Sequence, residues 1–154
     1  MEEVQFTVHL SILKPVQEVF DAVVNPQKLS GYFTQTASAP LQSGTTVTWR
    51  FAEFPADIPV IVSKVVPNKL ITLEWESIEG GYNTRVELRF ESLDEKSTLV
   101  SITESGWRPT PKGTSGSYQN CSGWMNMLCC LKAYLEYGLN LRKGAFLKPE
   151  VYSV

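Results

Sequence analysis

A single long helical stripe near the C-terminal end limits the fold of this chain more than any other feature. Trp124, Leu128, Leu131 and Leu135 recur at steps of four, three and four, the spacing that lines one face of an α-helix. Met127, Tyr134 and Gly138 flank the stripe, while Asn126, Ala133 and Glu136 lie elsewhere around the helix. The pattern predicts a helix over residues 118–141. One amphipathic helix cannot hide its own apolar face, so it must lie on a sheet built by the residues before it.

Period-two alternation supplies that sheet. Val4, Phe6, Val8, Leu10 and Ile12 share one face of the first segment, with Gln5, Thr7, His9 and Ser11 on the other, as in a half-buried strand. Pro15 suits the first turn of a helix, where a missing N–H is no loss. Val16, Val19, Phe20 and Val23 follow at helical spacing. Asn25-Pro26 reads as an N-cap followed by Pro, predicting a short second helix over 26–30 that Gly31 ends.

The middle of the chain is β. Val47, Trp49 and Phe51 alternate with Thr48 and Arg50, and Pro55 and Pro59 are expected to confine the next strand to 59–66. Ile71, Leu73 and Trp75 mark a fourth strand, Val86, Leu88 and Phe90 a fifth, and residues 97–105 the last. Pro67-Asn68, Gly80-Gly81 and Asp94-Glu95-Lys96 mark the turns. Gly106, Pro109, Pro111, Gly113 and Gly116 read as a flexible connection over 106–117, of which Arg108–Ser117 is a candidate lid. The predicted fold is α+β in the order β-α-α-β-β-β-β-β-α, an antiparallel sheet of about six strands curved around the long helix. It occupies one domain over 1–154.

Composition narrows the function. The chain is 43% hydrophobic and 19% charged, which suits a packed core. Its 14 basic and 16 acidic residues leave a net charge of −2, so nothing draws it to nucleic acid. No apolar run reaches a membrane span. Cys121, Cys129 and Cys130 form no disulfide framework; they read as thiols of a cytoplasmic protein. Cys129 and Cys130 lie mid-helix, and Cys121, nearer the helix start, is the better reactive thiol. One histidine and three clustered cysteines provide no metal site, and no cofactor is expected. His9 reads as an exposed strand residue. Arg50, Arg85 and Arg89, opposite Glu74, Glu76 and Glu87, read as a solvated face.

The order of elements resembles the helix-grip fold of START-like (SRPBCC) proteins, which include the birch pollen allergen and polyketide cyclases. Lys14-Pro15-Val16-Gln17-Glu18-Val19-Phe20, Asn25-Pro26 and Gly31-Tyr32-Phe33 resemble the N-terminal signature of the family related to the activator of heat-shock-protein-ninety ATPase. Val65-Val66-Pro67, Leu70-Ile71 and Trp75 resemble its central strands. The run from Thr98 to Trp107 resembles its last strand, and Gly123-Trp124, Leu128, Leu131-Lys132 and Leu135-Glu136 its final helix. Asn25 stands where Asp is common, and the Pro59-Val60 region replaces a Gly usual in the third strand. The co-chaperones of that family carry a further N-terminal domain, for which 154 residues leave no room. The resemblance implies a helix-grip fold and a cavity.

The expected lining of that cavity is Trp49, Phe51, Trp75, Leu88, Ile102, Glu104, Trp107, Trp124, Leu128 and Leu131. Glu104 is its sharpest polar member, because Thr98, Val100, Ile102 and Glu104 share the inward phase of the last strand. An inward carboxylate would bind a ligand hydroxyl or amine, act as a general acid or base in an enzyme, or hydrogen-bond the loop N–H groups near Gly106-Trp107. Without a cationic partner, Glu104→Gln is expected to be neutral or stabilising near neutral pH. The leading expectation is binding of a hydrophobic, lipid-like or aromatic small molecule. The alternatives are a co-chaperone-like module that binds a chaperone or other protein, and a cyclase- or hydratase-type enzyme using Glu104. Neither the ligand nor the oligomeric state is legible.

Overall fold

The alternation of the first segment becomes β1, Val4–Ile12. Then come α1 (Val16–Val24) and α2 (Pro26–Leu29), joined at Asn25. The Asn25 side chain accepts from the Gln27 and Lys28 N–H groups at 3.0 and 3.3 Å, so Asn does the capping that Asp would do. Five longer strands follow: β3 (Thr45–Phe51), β4 (Phe54–Val66), β5 (Leu70–Glu76), β6 (Asn83–Asp94) and β7 (Ser97–Trp107). They are preceded by a two-residue strand, β2 (Thr36–Ala37), and closed by α3 (Pro111–Tyr137). This computed structural model describes residues 3–148 and residue 151. All neighbouring strands are antiparallel in the order β1-β7-β6-β5-β4-β3-β2.

Three boundaries differ from the expectations. The sheet has seven strands, because β2 pairs Thr36 with Arg50 and Ala37 with Trp49; two residues are too few to show a period. β4 starts at Phe54 and contains Pro55 and Pro59. Its pairing with β5 begins only at Ile61 and Glu74, so this half of β4 has an open side that tolerates a missing N–H.

The third correction removes the flexible connection. β7 runs on to Trp107, and Thr110 caps α3, its side chain accepting from the Gly113 N–H at 3.0 Å. Pro111 takes the first helical position, where Pro is favoured. The glycines belong to the helix because nothing larger fits. A Cβ on Gly113 would lie 2.1 Å from the Arg108 carbonyl oxygen, and one on Gly116 2.9 Å from the Trp107 ring. Residues 106–117 therefore form no lid. At the other end α3 stops at Tyr137, short of 141, because Gly138 adopts φ +68°. The Leu139 N–H returns to the Ala133 carbonyl at 3.2 Å, a left-handed cap.

The core lies between α3 and the concave face of the sheet. Leu128 and Leu131 are fully buried, with Trp124, Met127 and Cys130, against Ile12, Leu88, Val100 and Ile102. The backbone of α3 runs close over β1 and β7. Across the wider space toward β3, β4 and β5, large aromatic side chains make the contact.

Candidate functional site

Two groups of side chains meet in that wider space. The first is a set of five rings. Phe33 touches Trp49, Phe51 and Trp124 with centroids 5.8, 5.0 and 5.6 Å apart. Trp75 touches Trp49 and Trp124 at 6.0 and 5.4 Å. Three of these contacts are edge-to-face, a favoured arrangement, and the two to Trp124 are tilted. Period two aims Trp49 and Phe51 of β3 and Trp75 of β5 at the concave face, and α3 brings Trp124 down onto them. Phe33 comes from the segment after α2. Trp49 and Trp124 are buried, while Phe51 and Trp75 are half-buried, so the set runs from the interior to the surface.

The second group surrounds Glu104, which is 0% exposed. Oε1 accepts from Trp124 Nε1 at 2.8 Å and Asn120 Nδ2 at 3.0 Å. Oε2 accepts from Thr84 Oγ1 at 2.6 Å, Trp75 Nε1 at 3.0 Å and Asn120 Nδ2 at 3.1 Å. Every neighbour is a donor, and a carboxylate is an acceptor only. The partners are not the loop N–H groups near Gly106-Trp107; they are side chains from β5, β6 and α3. Glu104 thus ties three elements together through neutral donors. The expectation for Glu104→Gln is reversed: an amide would place its own N–H₂ against groups that can only donate, such as an indole.

The remaining candidates fall in different places. Leu88, Ile102, Leu128 and Leu131 are packed core beside the rings. Trp107 lies apart from them, turned inward at the far end of β7. Gly106, at φ +88°, sits where two residues of β7, Ser105 and Gly106, face the single Gln5 of β1, and this bulge shifts the phase. Trp107 packs on Gly116 at the start of α3. His9 is exposed. Cys121 is half-buried, Cys129 exposed and Cys130 buried, all three as free thiols. Burial pushes the Cys130 thiol up, against the opposing pull of Arg142. On the outer face Arg85 and Arg89 both pair with Glu87.

Four participants escape the candidate lining. Thr84 shares the inward phase of Val86, Leu88 and Phe90, and Asn120 lies one turn before Trp124, so period alone places both. Phe33 and Arg142 lie outside any repeating pattern. One polar atom among the rings stands out: Trp49 Nε1 is buried and has no hydrogen-bond partner among the described residues. The same holds for Thr72 Oγ1 and Trp107 Nε1. Two open clefts lie elsewhere. One of about 450 Å³ is lined by Val16, Gln17, Ser92, Asp94 and Glu95, and one of about 270 Å³ lies around Pro26, Ser30 and Thr36. Among the described residues no helix is long and apolar enough to cross a membrane.

A seven-stranded antiparallel sheet gripping a long C-terminal helix is the helix-grip, START-like architecture. Residues 14–136 match the family model of Activator of Hsp90 ATPase homolog 1-like proteins, and the chain belongs to that family. No curated protein matches it. Among solved structures it is similar to the protein SSP2350 from Staphylococcus saprophyticus, with 27% identity over 90% of this chain and 96% of that one and a TM-score of 0.75. It is also similar to DynU16, a protein of the dynemicin biosynthetic locus, at 25% identity and a TM-score of 0.76. That match covers 87% of this chain but 48% of DynU16. The Aha1 dimer from Colwellia psychrerythraea shares the fold, with 22% identity over 88% of this chain and 98% of that one and a TM-score of 0.71.

Proposed function

We propose that the protein binds a small aromatic or lipid-like molecule against the ring set of Phe33, Trp49, Phe51, Trp75 and Trp124. The observation that carries this reading is Trp49 Nε1, a buried donor with no partner among the described residues, in the middle of an apolar wall. A buried polar group left unsatisfied costs about 1–3 kcal/mol, and of the three such atoms among the described residues the Trp49 N–H is the one that lies within the ring set, where its persistence calls for a reason. An acceptor atom on a bound molecule supplies one. The half-buried rings of Phe51 and Trp75 give the approach from solvent.

Glu104 is the anchor of this site rather than its reagent. Both of its oxygens are taken by protein donors and it has no exposed surface. Acid–base chemistry would first require these bonds to break. The three free thiols fit a cytoplasmic protein.

The test is a titration with the neutral probe N-phenyl-1-naphthylamine, followed by its fluorescence and by the indole N–H resonances of the ¹⁵N-labelled protein. Saturable binding that perturbs Trp49 is expected. Absence of saturable binding, or binding that leaves the Trp49 resonance in place, would overturn the proposal.

A further inference from the structure

The segment after α3 crosses the open end of the ring set and delivers Arg142 to it. The Arg142 side chain is only 10% exposed. Its guanidinium carbon lies 5.6 Å from the Phe33 centroid, 5.8 Å from Phe51 and 4.7 Å from Phe146. Phe33 and Phe51 are the same rings that touch Trp49, so this charge borders the proposed binding wall directly. Nη2 donates to both carboxylate oxygens of Glu53 at 2.5 Å, and Nη1 to Asn126 Oδ1 at 3.3 Å. Glu53 stands in the two-residue connection between β3 and β4, with its side chain 27% exposed.

We infer that Arg142 recognises the head of the bound molecule, that this molecule is an apolar acid carrying a carboxylate, and that Glu53 is the internal carboxylate it displaces. The inference rests on the ligand-binding reading above. A guanidinium offers five N–H donors in a planar fork that fits a carboxylate edge to edge. Here the fork is desolvated by aromatic faces on the side where an apolar body would lie. A cationic head would be repelled, and a neutral one would leave Arg142 with Glu53. Glu53 can leave because its hairpin reaches solvent, where a carboxylate regains water. An acid arriving with its own apolar body loses less by leaving water, so the exchange favours it.

The test compares decanoate with decanol, each titrated calorimetrically into the full chain below its aggregation limit. Charge-assisted hydrogen bonds predict that decanoate binds about tenfold or more tightly than decanol. Arg142→Gln should bring the two affinities together, and Glu53→Gln should tighten decanoate more than decanol. Equal affinities in the unaltered protein would overturn the inference, as would a preference that survives in folded Arg142→Gln. If Arg142→Gln does not fold, Glu53→Gln decides: unchanged decanoate affinity overturns the inference. Binding of decanol or the naphthylamine without preference for decanoate sinks only the carboxylate assignment. No binding of any of the three sinks the ligand-binding reading and this inference with it.

Discussion

The two halves of the interface beneath α3 are built from different materials. Over β1 and β7 the packing is close and aliphatic: Leu128 and Leu131 share one buried cluster with Ile12 of β1, Val100 and Ile102 of β7 and Leu88 of the neighbouring β6, all nearly or fully buried. Toward β3, β4 and β5 it is wide and aromatic, crossed by indoles and phenyl rings, anchored by a buried carboxylate, and half-open to solvent at Phe51 and Trp75. The side chains that meet at Leu128 and Leu131 carry no polar atom and so gain from packing alone. The aromatic half holds a carboxylate away from water and keeps an unpartnered N–H, features that stability does not require. In the proposed reading, stability and recognition fall on opposite sides of one helix.

The largest expected effect breaks the aliphatic side. Leu128→Asp buries a charge with no donor near it and should abolish folding. Leu128→Ala should lower stability by about 2–5 kcal/mol in urea unfolding, as a cavity in packed surroundings does. A stable, soluble Leu128→Asp variant would show that the two halves do not differ as described.

On the aromatic side Glu104→Gln should cost about 1–3 kcal/mol, the penalty for a buried group left unsatisfied. Thr84 can turn its hydroxyl round to accept from the new amide. Trp75 and Trp124 cannot, because an indole only donates. Urea unfolding that places Glu104→Gln level with the unaltered protein would mean that the donor set can rearrange.

A finer cut separates indoles that share one cluster. Trp75 and Trp124 donate to a carboxylate, whereas Trp49 donates to nothing among the described residues. In Glu104→Gln at least one of the first two indole N–H resonances should move and exchange faster, and that of Trp49 should stay. The converse is expected on titration with the naphthylamine probe, with Trp49 moving most. A Trp49 signal that follows Glu104→Gln as closely as Trp75 does would dissolve the distinction.

Much of this contrast is legible in the chain itself. Alternation along β7 is enough to place Glu104 inward, and the stripe of α3 selects Trp124, Leu128 and Leu131. Period is a good guide where a residue belongs to a long regular element. It fails at positions governed by close approach. Gly113 and Gly116 look like loop residues because glycine is rare in helices, yet they are there to admit the Arg108 carbonyl and the Trp107 ring. Gly106 likewise hides a bulge that turns Trp107 inward, onto Gly116 at the start of α3. Arg142 is beyond such reasoning, since it reaches Glu53 from an irregular segment 89 residues away in sequence.

The smallest effect sharpens the comparison from the aliphatic side, where a charge cluster sits only at the rim. Glu136, in the last turn of α3, accepts from the Leu13 N–H at 3.0 Å and from Lys132 at 2.6 Å, and Lys132 also donates to the Ser11 carbonyl at 3.2 Å. Burial pushes the Glu136 carboxyl up, but the Leu13 N–H and Lys132 outweigh it and hold it below its ordinary value. A carboxyl lowered by folding lends stability above its unfolded value of about 4.3, and that stability is lost as pH falls through the lower folded value. Glu136→Gln should therefore lose about 0.5–1.5 kcal/mol at neutral pH. The difference from the unaltered protein should shrink as pH drops below about 4. Asp94, lowered chiefly by the Lys96 N–H, titrates in the same acid range but is common to both chains and cancels in the difference. Urea midpoints measured for the pair across this range give the answer. A difference that stays constant into acid would mean that the rim of the aliphatic half is held by packing alone.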